Sequence, residues 1–335
     1  MLLKLEVRRY RRHFKNPLYT GNGALTERNG ILIRIEDAEG KVGFGEAAPL
    51  KWFGTESFQD AFSFLNAWGK EISPEAWLEV PMSLPCCRFA FDSALKMLDG
   101  GLQKKADAPI PVAALLPNGN IALDWIEKLQ EEGYRTFKWK IGVDAPEIEF
   151  GRLEGLLEKL YPDDRIRLDA NGALDLESAI AWGERLANIP QIEYLEQPLP
   201  LNQMLAYKEL QKVTTTPIAF DESTTHLPDL SAMTAGGWDG YIVCKPLIHG
   251  PLDTIANWRR IFPGKLSFSS VFETAIGMEI LLQIAAEDEE PLALGAGTLA
   301  YFEDDGFSLH PVGPELTPGK VSLEDMQTLW RQLPE

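Results

Sequence analysis

The sequence TFKWKIG at positions 136–142 is the first of five short apolar segments that each end near an ionisable residue. The other four segments are RIRLDANG (165–172), IEYLEQP (192–198), PIAFDES (217–223) and YIVCKP (241–246). Intervals of 29, 27, 25 and 24 positions separate the residues of the series Lys140, Asp169, Glu196, Asp221 and Lys245. A strand, a loop and a helix of about 10–15 residues fill such an interval. Each segment is therefore interpreted as the strand of a repeating βα unit.

The five segments are also near-continuous apolar runs, which is typical of parallel strands that are covered by helices on both faces. In a βα-barrel all strands end at one face, and that face carries the active site. The sequence therefore predicts a pocket into which carboxylates and lysines converge. The converging residues are Asp169, Glu196 and Asp221 with Lys138, Lys140 and Lys245.

The 335 residues of the chain are expected to divide into a barrel and a smaller capping domain. Residues 109–304 are predicted to form an α/β fold, a (β/α)₇β TIM-like barrel in which eight strands alternate with seven helices. Residues 1–108 contain strands followed by helices without a βαβ rhythm, which favours an α+β capping domain. The C-terminal segment, 305–335, is predicted to return to the capping domain.

Several individual elements are also predicted. The strands at 111–116 and 291–297 are expected to be the first and the eighth of the barrel, and a helix is expected at 225–236. The segment NPLYTGNGALTERNG at 16–30 is rich in Gly, Asn and Thr, so it is predicted to be a mobile loop of the cap. A hairpin turn is expected at Glu39-Gly40.

The composition excludes some classes of partner and site. A formal net charge of −18 argues against nucleic acid and anionic membranes, because both are bound through basic patches. No apolar stretch reaches the roughly 18 residues of a membrane helix, and no signal peptide is recognised, so a cytoplasmic protein is expected. Cys86, Cys87 and Cys244 fit neither a disulfide framework nor a zinc site and are expected to be buried free thiols.

The three carboxylates at successive strand ends, Asp169, Glu196 and Asp221, predict a metal site. Side by side they repel one another unless a cation lies between them. Oxygen ligands favour Mg²⁺, Mn²⁺ or Ca²⁺, and Mg²⁺ commonly leaves positions open for water or substrate oxygens. We expect Mg²⁺, with Mn²⁺ as a possible substitute. The alternative is that each carboxylate only caps the helix that follows its strand.

The lysines predict a base and an electrophile. Lys138 and Lys140 are two residues apart on one strand and therefore face the same way. Burial and mutual repulsion predict a depressed pKa for this pair, which suits a general base. Lys245 is expected on the opposite side of the barrel. The alternative is a set of structural salt bridges to the carboxylates.

A divalent cation and a lysine base together suit one type of reaction on a small-molecule carboxylate substrate. The base removes a proton from the carbon next to the carboxylate, and the product of that step is an enediolate with two negative oxygens. The metal and a cationic lysine stabilise this charge where it develops.

The motifs K-W-K, R-L-D-A-N, L-E-Q-P, F-D-E-S and C-K-P resemble the enolase superfamily, in the muconate-lactonizing-type branch with a KxK motif on the second barrel strand and a lysine on the sixth. GFGEAAPL at 43–50 is similar to the cap domain of the superfamily, so the resemblance covers nearly the whole chain. It implies that Asp169, Glu196 and Asp221 bind Mg²⁺. It also implies that Lys140 is the base, that Lys138 supports it and that Lys245 acts from the other side.

Within this branch, TERNGILIRI (26–35), EAAPLKWFGTES (46–57) and GAGTLAYFEDD (295–305) resemble the o-succinylbenzoate synthases of the cyanobacterial and plant type. That resemblance implies a lyase that converts 2-succinyl-6-hydroxy-2,4-cyclohexadiene-1-carboxylate to o-succinylbenzoate by syn-dehydration, in menaquinone or phylloquinone synthesis. Lys140 would take the proton, and its conjugate acid would assist the departing hydroxyl.

Two other functions stay open on sequence grounds. An N-acylamino acid racemase or a dipeptide epimerase of the same superfamily also uses two opposed lysines. Epimerases of this branch tend to carry an acidic D-x-D motif after the eighth strand, whereas this chain has no acidic residue there before Glu303. A non-catalytic binding protein has no reason to keep so many inward charges. A monomer and a homo-oligomer are equally compatible with the sequence.

Further residues are expected to contact the substrate. Ser269 and Ser270 follow the seventh strand and either donate to a succinyl carboxylate or cap the next helix. Backbone N–H groups of Gly295 and Gly297 are expected to bind a carboxylate. The last candidates are Asn171, as a neighbour of the metal ligands or a turn residue, and Trp52 and Phe53, in a cap loop that closes over the ring or only packs within the cap. The histidines match no triad or metal spacing and receive no role: His13, His226, His249 and His310.

Overall fold

The cap is built on one antiparallel sheet. The structure, a computed structural model, describes residues 2–20, 23–102, 108–225, 237–303 and 305–334. The sheet has the strand order β3-β2-β1-β4. Its strands are β1 (Leu3–Thr20), β2 (Gly23–Glu36), β3 (Val42–Ala47) and β4 (Glu71–Ile72). The hairpin between β2 and β3 has Gly40 at φ +80°, which confirms the predicted turn.

The mobile loop predicted at 16–30 is wrong, because β1 and β2 continue through most of it. Leu18 pairs with Leu25, and the register shifts between His13 and Leu18. Such an irregularity accommodates Asn16 and Pro17, since proline is tolerated at bulges. Composition indicated a loop here, but cross-strand pairing of the long hairpin outweighs it. Residues 21 and 22 lie outside the described part of the chain.

Two helices, α1 (Phe58–Ala67) and α2 (Pro85–Leu98), cover the cap sheet, and Ser57 caps α1 by accepting the N–H of Asp60. Glycines in β3 let α2 lie directly on the strand. A Cβ atom at Gly45 would stand 1.9 Å from the carbonyl oxygen of Ala90. The glycines of GFGEAA are therefore required by helix-sheet contact.

The predicted barrel is confirmed as a curled parallel sheet in which consecutive strands are neighbours. Its strands are β6 (Ala113–Leu115), β7 (Thr136–Lys140), β8 (Arg165–Asp169), β9 (Ile192–Glu196), β10 (Ile218–Phe220), β11 (Tyr241–Cys244) and β12 (Leu266–Phe268). The eighth strand expected at 291–297 is present only as single bridges. Leu294 pairs with Val112 and Gly295 pairs with Ser269, and these contacts close the barrel.

Helices follow the strands as the βα rhythm predicts. They are α3 (Ile121–Glu131), α4 (Pro146–Lys159), α5 (Leu176–Leu186), α6 (Met204–Val213), α7 (Pro246–His249), α8 (Leu252–Ile261) and α9 (Ala275–Ala285). The one-turn helix α7 was not predicted. The helix expected at 225–236 lies, from residue 226 onward, outside the described residues. Within the described ranges no helix is both long enough and apolar enough to cross a membrane.

The C-terminal segment contacts both domains. A two-stranded antiparallel sheet joins β5 (Ile110–Pro111) to β13 (Glu315–Leu316). Helix α10 (Leu323–Gln332) lies on the cap, where the ring of Trp330 is 5.9 Å from that of Phe44. The domain boundaries at 108/109 and 304/305 stay a prediction.

Glu46 fastens the cap to the barrel. It lies in β3 and is fully buried, and its carboxylate accepts the N–H groups of Thr274 and Gly277, each at 3.0 Å. Tyr10 donates its hydroxyl to the same carboxylate at 2.6 Å. A carboxylate at a helix N-terminus is favourable, because it satisfies free N–H groups and complements the helix dipole. This contact orients the cap over the carboxyl ends of the barrel strands.

Candidate active site

The strand register brings the predicted pocket together. Lys140 on β7 pairs with Asp169 on β8, and Asp169 pairs with Glu196 on β9. Ala219 on β10 pairs with Glu196, so Asp221 lies two residues beyond this row. The ionisable residues therefore lie at one end of the barrel, as the sequence predicts.

Lys138 links two of the carboxylates. Its Nζ atom is 2.9 Å from Oδ2 of Asp169 and 2.7 Å from Oε1 of Glu196. Burial by itself would lower the pKa of Lys138, but the charges of Asp169 and Glu196 outweigh it and raise that pKa well above its usual value. The expectation of a depressed pKa is wrong for Lys138, because it forms salt bridges to two carboxylates, which was the alternative interpretation. Lys138 is a charged group that cannot accept a proton here.

Lys140 has a neutral partner instead. Its Nζ atom donates to Oδ1 of Asn171 at 2.7 Å. Asn171 is itself held: its Nδ2 donates to Oε1 of Glu222 at 3.0 Å, and its backbone N–H donates to Asp169 at 2.9 Å. The residue adopts a positive φ of 44°, a conformation that asparagine tolerates better than most residues. Asn171 thus orients Lys140 towards the pocket's row of carboxylates.

Lys245 lies across the barrel. It directly follows β11, and the strands β8, β9 and β10 separate β11 from β7, which contains Lys140. In a barrel closed by an eighth segment, this separation puts the two lysines on opposite sides. Lys245 is only 6 % exposed, forms an ion pair with Asp221 and lies 4.5 Å from the centre of the Phe53 ring.

The three carboxylates differ in their electrostatics. Burial, followed by the charge of Asp169, raises the pKa of Glu196 to about 7. Burial is also the main cause that raises the pKa of Asp221. For Asp169 burial acts in the same direction, but the ammonium groups of Lys138 and Lys140 outweigh it and lower the pKa. Burial therefore disfavours the charged forms of Glu196 and Asp221, whereas the two lysines favour the charged form of Asp169.

A divalent cation suits this donor set by its chemistry. The oxygens are hard ligands of the kind that Mg²⁺ and Mn²⁺ prefer. In the described part of the chain, no group of three His, Cys, Asp or Glu side chains has the spacing of a formed metal site. Lys138 bridges Asp169 and Glu196, and Lys245 pairs with Asp221, so ammonium groups compensate the charge in this geometry.

The residues after the seventh strand form a hydrogen-bonded cluster. Ser270 donates to Glu273 at 3.0 Å and accepts the hydroxyl of Thr298 at 2.6 Å. Ser269 donates to the carbonyl of Gly295 at 3.2 Å. The helix that follows is capped by Thr274, so neither serine has the capping role that was the alternative.

The two glycines of the eighth segment differ. The N–H of Gly295 donates to the carbonyl of Phe268 at 2.8 Å. The expectation that this N–H binds a carboxylate is therefore wrong, because barrel closure uses it. Gly297 begins a 3₁₀ turn, Gly297–Tyr301, and its role in binding a carboxylate stays a prediction.

The two aromatic residues of the cap loop differ in their contacts. Trp52 and Phe53 lie in a 3₁₀ turn, Lys51–Phe53, and both pack partly buried against the core. Phe53 in addition faces Lys245, and its carbonyl accepts the hydroxyl of Thr225. The cap loop thus reaches the pocket through Phe53.

Sequence reasoning missed Gln197, which follows Glu196 directly. Its Oε1 accepts the N–H groups of Asp221 and Ser223 at 3.2 and 3.1 Å. Its Nε2 donates to the hydroxyls of Ser223 and Tyr207 at 2.8 and 3.0 Å. The residue thereby joins the ends of β9 and β10. An amide directly after a strand-end carboxylate is the one signal that pointed to it.

His249 was also missed. It contacts the backbone of Lys245 and the side chain of Thr224. His310, which likewise received no role, is buried against Glu279 at 3.1 Å, away from this pocket.

Two family models match the chain. One is described as enolase C-terminal domain-like and matches residues 122–245, and the other is described as the N-terminal domain of MenC and matches residues 3–98. An o-succinylbenzoate synthase of Thermosynechococcus vestitus is 35 % identical over 300 residues, which cover 88 % of this chain and 92 % of that protein. The corresponding enzyme of Haemophilus influenzae is 25 % identical and covers 83 % of this chain and 84 % of its own.

Solved structures agree with these matches. A crystal structure of o-succinylbenzoate synthase from Thermosynechococcus elongatus, complexed with Mg in the active site, superposes with a TM-score of 0.84 at 33 % identity, covering 98 % of this chain and 100 % of that one. A dipeptide epimerase from Cytophaga hutchinsonii superposes with a TM-score of 0.76 at 20 % identity, covering 95 % and 94 % of the two chains. At that identity the second match supports the fold alone.

Proposed function

The chain belongs to the o-succinylbenzoate synthases of the enolase superfamily, and on that premise we propose how its own residues carry out the reaction. The enzyme is a lyase that dehydrates 2-succinyl-6-hydroxy-2,4-cyclohexadiene-1-carboxylate to o-succinylbenzoate, a step of menaquinone synthesis. The observation that carries the proposal is the placement of Lys140 and Lys245 on opposite sides of one carboxylate-lined pocket.

In this proposal Lys140 is the general base. It takes the proton from the ring carbon that bears the substrate carboxylate, and an enediolate forms. Its partner Asn171 is a neutral amide, so the amine of Lys140 is not committed to an ion pair. The conjugate acid of Lys140 then gives a proton to the departing hydroxyl. Water leaves from the face that lost the proton, and the ring becomes aromatic.

Lys245 has the opposite role. Its ammonium group stays charged and stabilises the enediolate oxygens from the other side of the substrate. The Phe53 ring covers Lys245 and keeps water from it, which strengthens that electrostatic interaction. Lys138 is held as a cation by Asp169 and Glu196 and supports the electrostatics of Lys140's side of the pocket.

Asp169, Glu196 and Asp221 are the residues that would hold Mg²⁺, which would supply positive charge for the substrate carboxylate. Mn²⁺ has similar ligand preferences and is proposed as a substitute. Gly297 is proposed to bind the succinyl carboxylate, together with Ser269 and Ser270 once their hydroxyl protons turn away from the Gly295 carbonyl and from Glu273. Trp52 and Phe53 are proposed to cover the ring.

The setting of the enzyme is also proposed. Cys86, Cys87 and Cys244 are buried free thiols, as predicted, which is consistent with a cytoplasmic enzyme. Every residue named in the mechanism belongs to one chain, so the mechanism holds for a monomer and for a homo-oligomer.

Product analysis tests the proposed function. The wild-type protein is incubated with the cyclohexadiene substrate and Mg²⁺, and the product is identified by mass spectrometry and ultraviolet absorbance. We expect o-succinylbenzoate, loss of turnover with EDTA, and recovery with Mg²⁺ or Mn²⁺. A folded wild type that exchanges the α-proton of N-succinylamino acids in D₂O but does not dehydrate this substrate would instead support the racemase function.

A further inference from the structure

His249 lies directly beside the proposed electrophile. It is the last residue of α7, the one-turn helix that begins immediately after Lys245. Its Nδ1 accepts the backbone N–H of Lys245 at 3.0 Å, and its Nε2 is 2.9 Å from Oγ1 of Thr224. The ring also packs on Trp258, with 4.8 Å between the ring centres. A side chain that reaches back to the N–H at the start of its own helix resembles the second half of a capping box.

The contacts fix the tautomer of this imidazole. Nδ1 accepts a backbone N–H, so it carries no proton, and a neutral ring must then carry its proton on Nε2. Thr224 uses its hydroxyl proton on the carbonyl oxygen of Asp221 at 2.5 Å, so its oxygen is free to accept from Nε2. Burial, and then the charge of Lys245, lower the pKa of His249 to about 3, which agrees with a neutral ring.

The three hydrogen bonds therefore all point in the same direction, from Lys245 to Asp221, and form one network. The N–H of Lys245 donates to His249, His249 donates to Thr224, and Thr224 donates to the carbonyl of Asp221. This hydrogen-bond network connects the end of β11 with the end of β10. The two side chains that it brings together, Lys245 and Asp221, are also ion-paired.

We propose that His249 is a positioning residue that holds Lys245 and Asp221 in register, so that the ammonium of Lys245 faces the substrate opposite Lys140. The proposal rests on the proposed function. His249 does not touch the substrate, and its effect passes through Lys245. Small displacements of a catalytic group are costly in enzymes, so this connection matters for kcat.

Substitutions distinguish the effect of the hydrogen-bond network from simple packing of the His249 ring. His249→Phe keeps a ring against Trp258 and removes both nitrogens. His249→Asn retains an acceptor near the Lys245 N–H. Thr224→Val removes the hydroxyl at constant shape, and Thr224→Ser restores it. Trp258→Phe is the packing control, because Trp258 touches the ring of His249 and takes no part in the hydrogen-bond network.

We expect kcat for dehydration to fall about 10- to 100-fold in His249→Phe, since displacement by about 1 Å has effects of that size, with KM little changed. Thr224→Val lowers kcat in the same direction, and His249→Asn and Thr224→Ser recover part of it. In a Lys245→Ala background, His249→Phe has no further effect, because its action passes through the missing ammonium.

The outcomes are distinguishable. An inactive, folded wild type would contradict the proposed function itself. An active wild type with His249→Phe at full kcat would overturn the positioning role. An equal loss in the Lys245→Ala background, or a loss that Trp258→Phe reproduces together with the same drop in melting temperature, would also overturn it and leave His249 as a packing residue.

Discussion

Oδ1 of Asn171 lies 2.7 Å from Nζ of Lys140, so the proposed base is held by a neutral amide and not by a carboxylate. The other side of that amide donates to Glu222, which fixes the amide orientation. The neighbouring Lys138, by contrast, is tied to two carboxylates. Two lysines on one strand therefore have opposite roles. Lys138 contacts the last residues of β8 and β9, whereas Lys140 contacts Asn171, which follows β8.

Asn171→Asp should reduce activity at neutral pH. A carboxylate beside Lys140 favours the ammonium form of this lysine. The neutral amine, which is the form that acts as a base, is then reached only at higher pH. We expect the rising limb of the kcat/KM pH profile to move to higher pH, by about one unit for a pair at this distance. Steady-state kinetics between pH 6 and pH 10 measure it. Glu222→Gln keeps a hydrogen-bond acceptor for Asn171 and is the matched control. A rising limb at the same pH in Asn171→Asp and in wild type would contradict the role of the contact between Asn171 and Lys140.

Glu273 should make stability depend on pH. Burial, followed by the charge of Glu46, raises its pKa to about 7, and Oε1 is buried without a partner. A raised carboxyl pKa contributes stability that is complete below about 4.5 and is lost as pH rises through about 7. Wild type should therefore lose roughly 2–3 kcal/mol relative to Glu273→Gln over this window.

Urea unfolding of both proteins at pH 4.5, 6 and 8 tests the effect of Glu273. Gln resembles the protonated acid, so the variant gains on wild type as pH rises. Glu158→Gln, on an exposed face of α4, is the control and should show no such trend. Parallel curves for wild type and Glu273→Gln would contradict the raised pKa.

Gly45→Ala should destabilise the cap. The added Cβ atom would stand 1.9 Å from the carbonyl oxygen of Ala90, so α2 must move away from β3. Overpacking of this kind costs about 1–3 kcal/mol. Gly151→Ala is the matched control, because its added Cβ in α4 would meet no atom within 4 Å apart from the adjacent backbone of its own helix. That change should stabilise the helix by about 0.5–1 kcal/mol. Chemical denaturation of both variants measures the difference, and equal effects would contradict the account of GFGEAA.

The sequence was sufficient for the barrel and its pocket because one signal repeats there. Each strand is largely apolar and ends at or next to a charge, as at Asp169, Glu196 and Lys245, and the interval between charges is that of a βα unit. The parallel register then brings these residues together without further information. Local pattern and tertiary structure agree in this part of the chain.

The errors arise where tertiary contacts decide. The glycine-rich segment around Leu18 and Leu25 pairs as strands, since a long hairpin supplies partners that composition does not reveal. The pKa of Lys138 is raised because two carboxylates from other strands surround the ammonium group. The N–H of Gly295 is used by Phe268, a contact created only when the barrel closes.

The missed residues share another feature. Gln197 and His249 act through backbone groups, whose directions a sequence does not give. Their partners, at Asp221 and Lys245, were recognised from the sequence because ionisable side chains at strand ends are conspicuous. The amides and neutral imidazoles that orient these ionisable side chains are not conspicuous in a sequence.

The identity of the base is tested most directly by Lys140→Ala, with Lys245→Ala beside it, in the Mg²⁺-dependent dehydration assay. Removal of a general base typically lowers the rate by about 10²–10⁴-fold, so Lys140→Ala should lose nearly all kcat while it remains folded. Small primary amines added to the solution should restore part of that activity. A Lys140→Ala protein that dehydrates the substrate at a rate near that of wild type would contradict the assignment of Lys140 as the base.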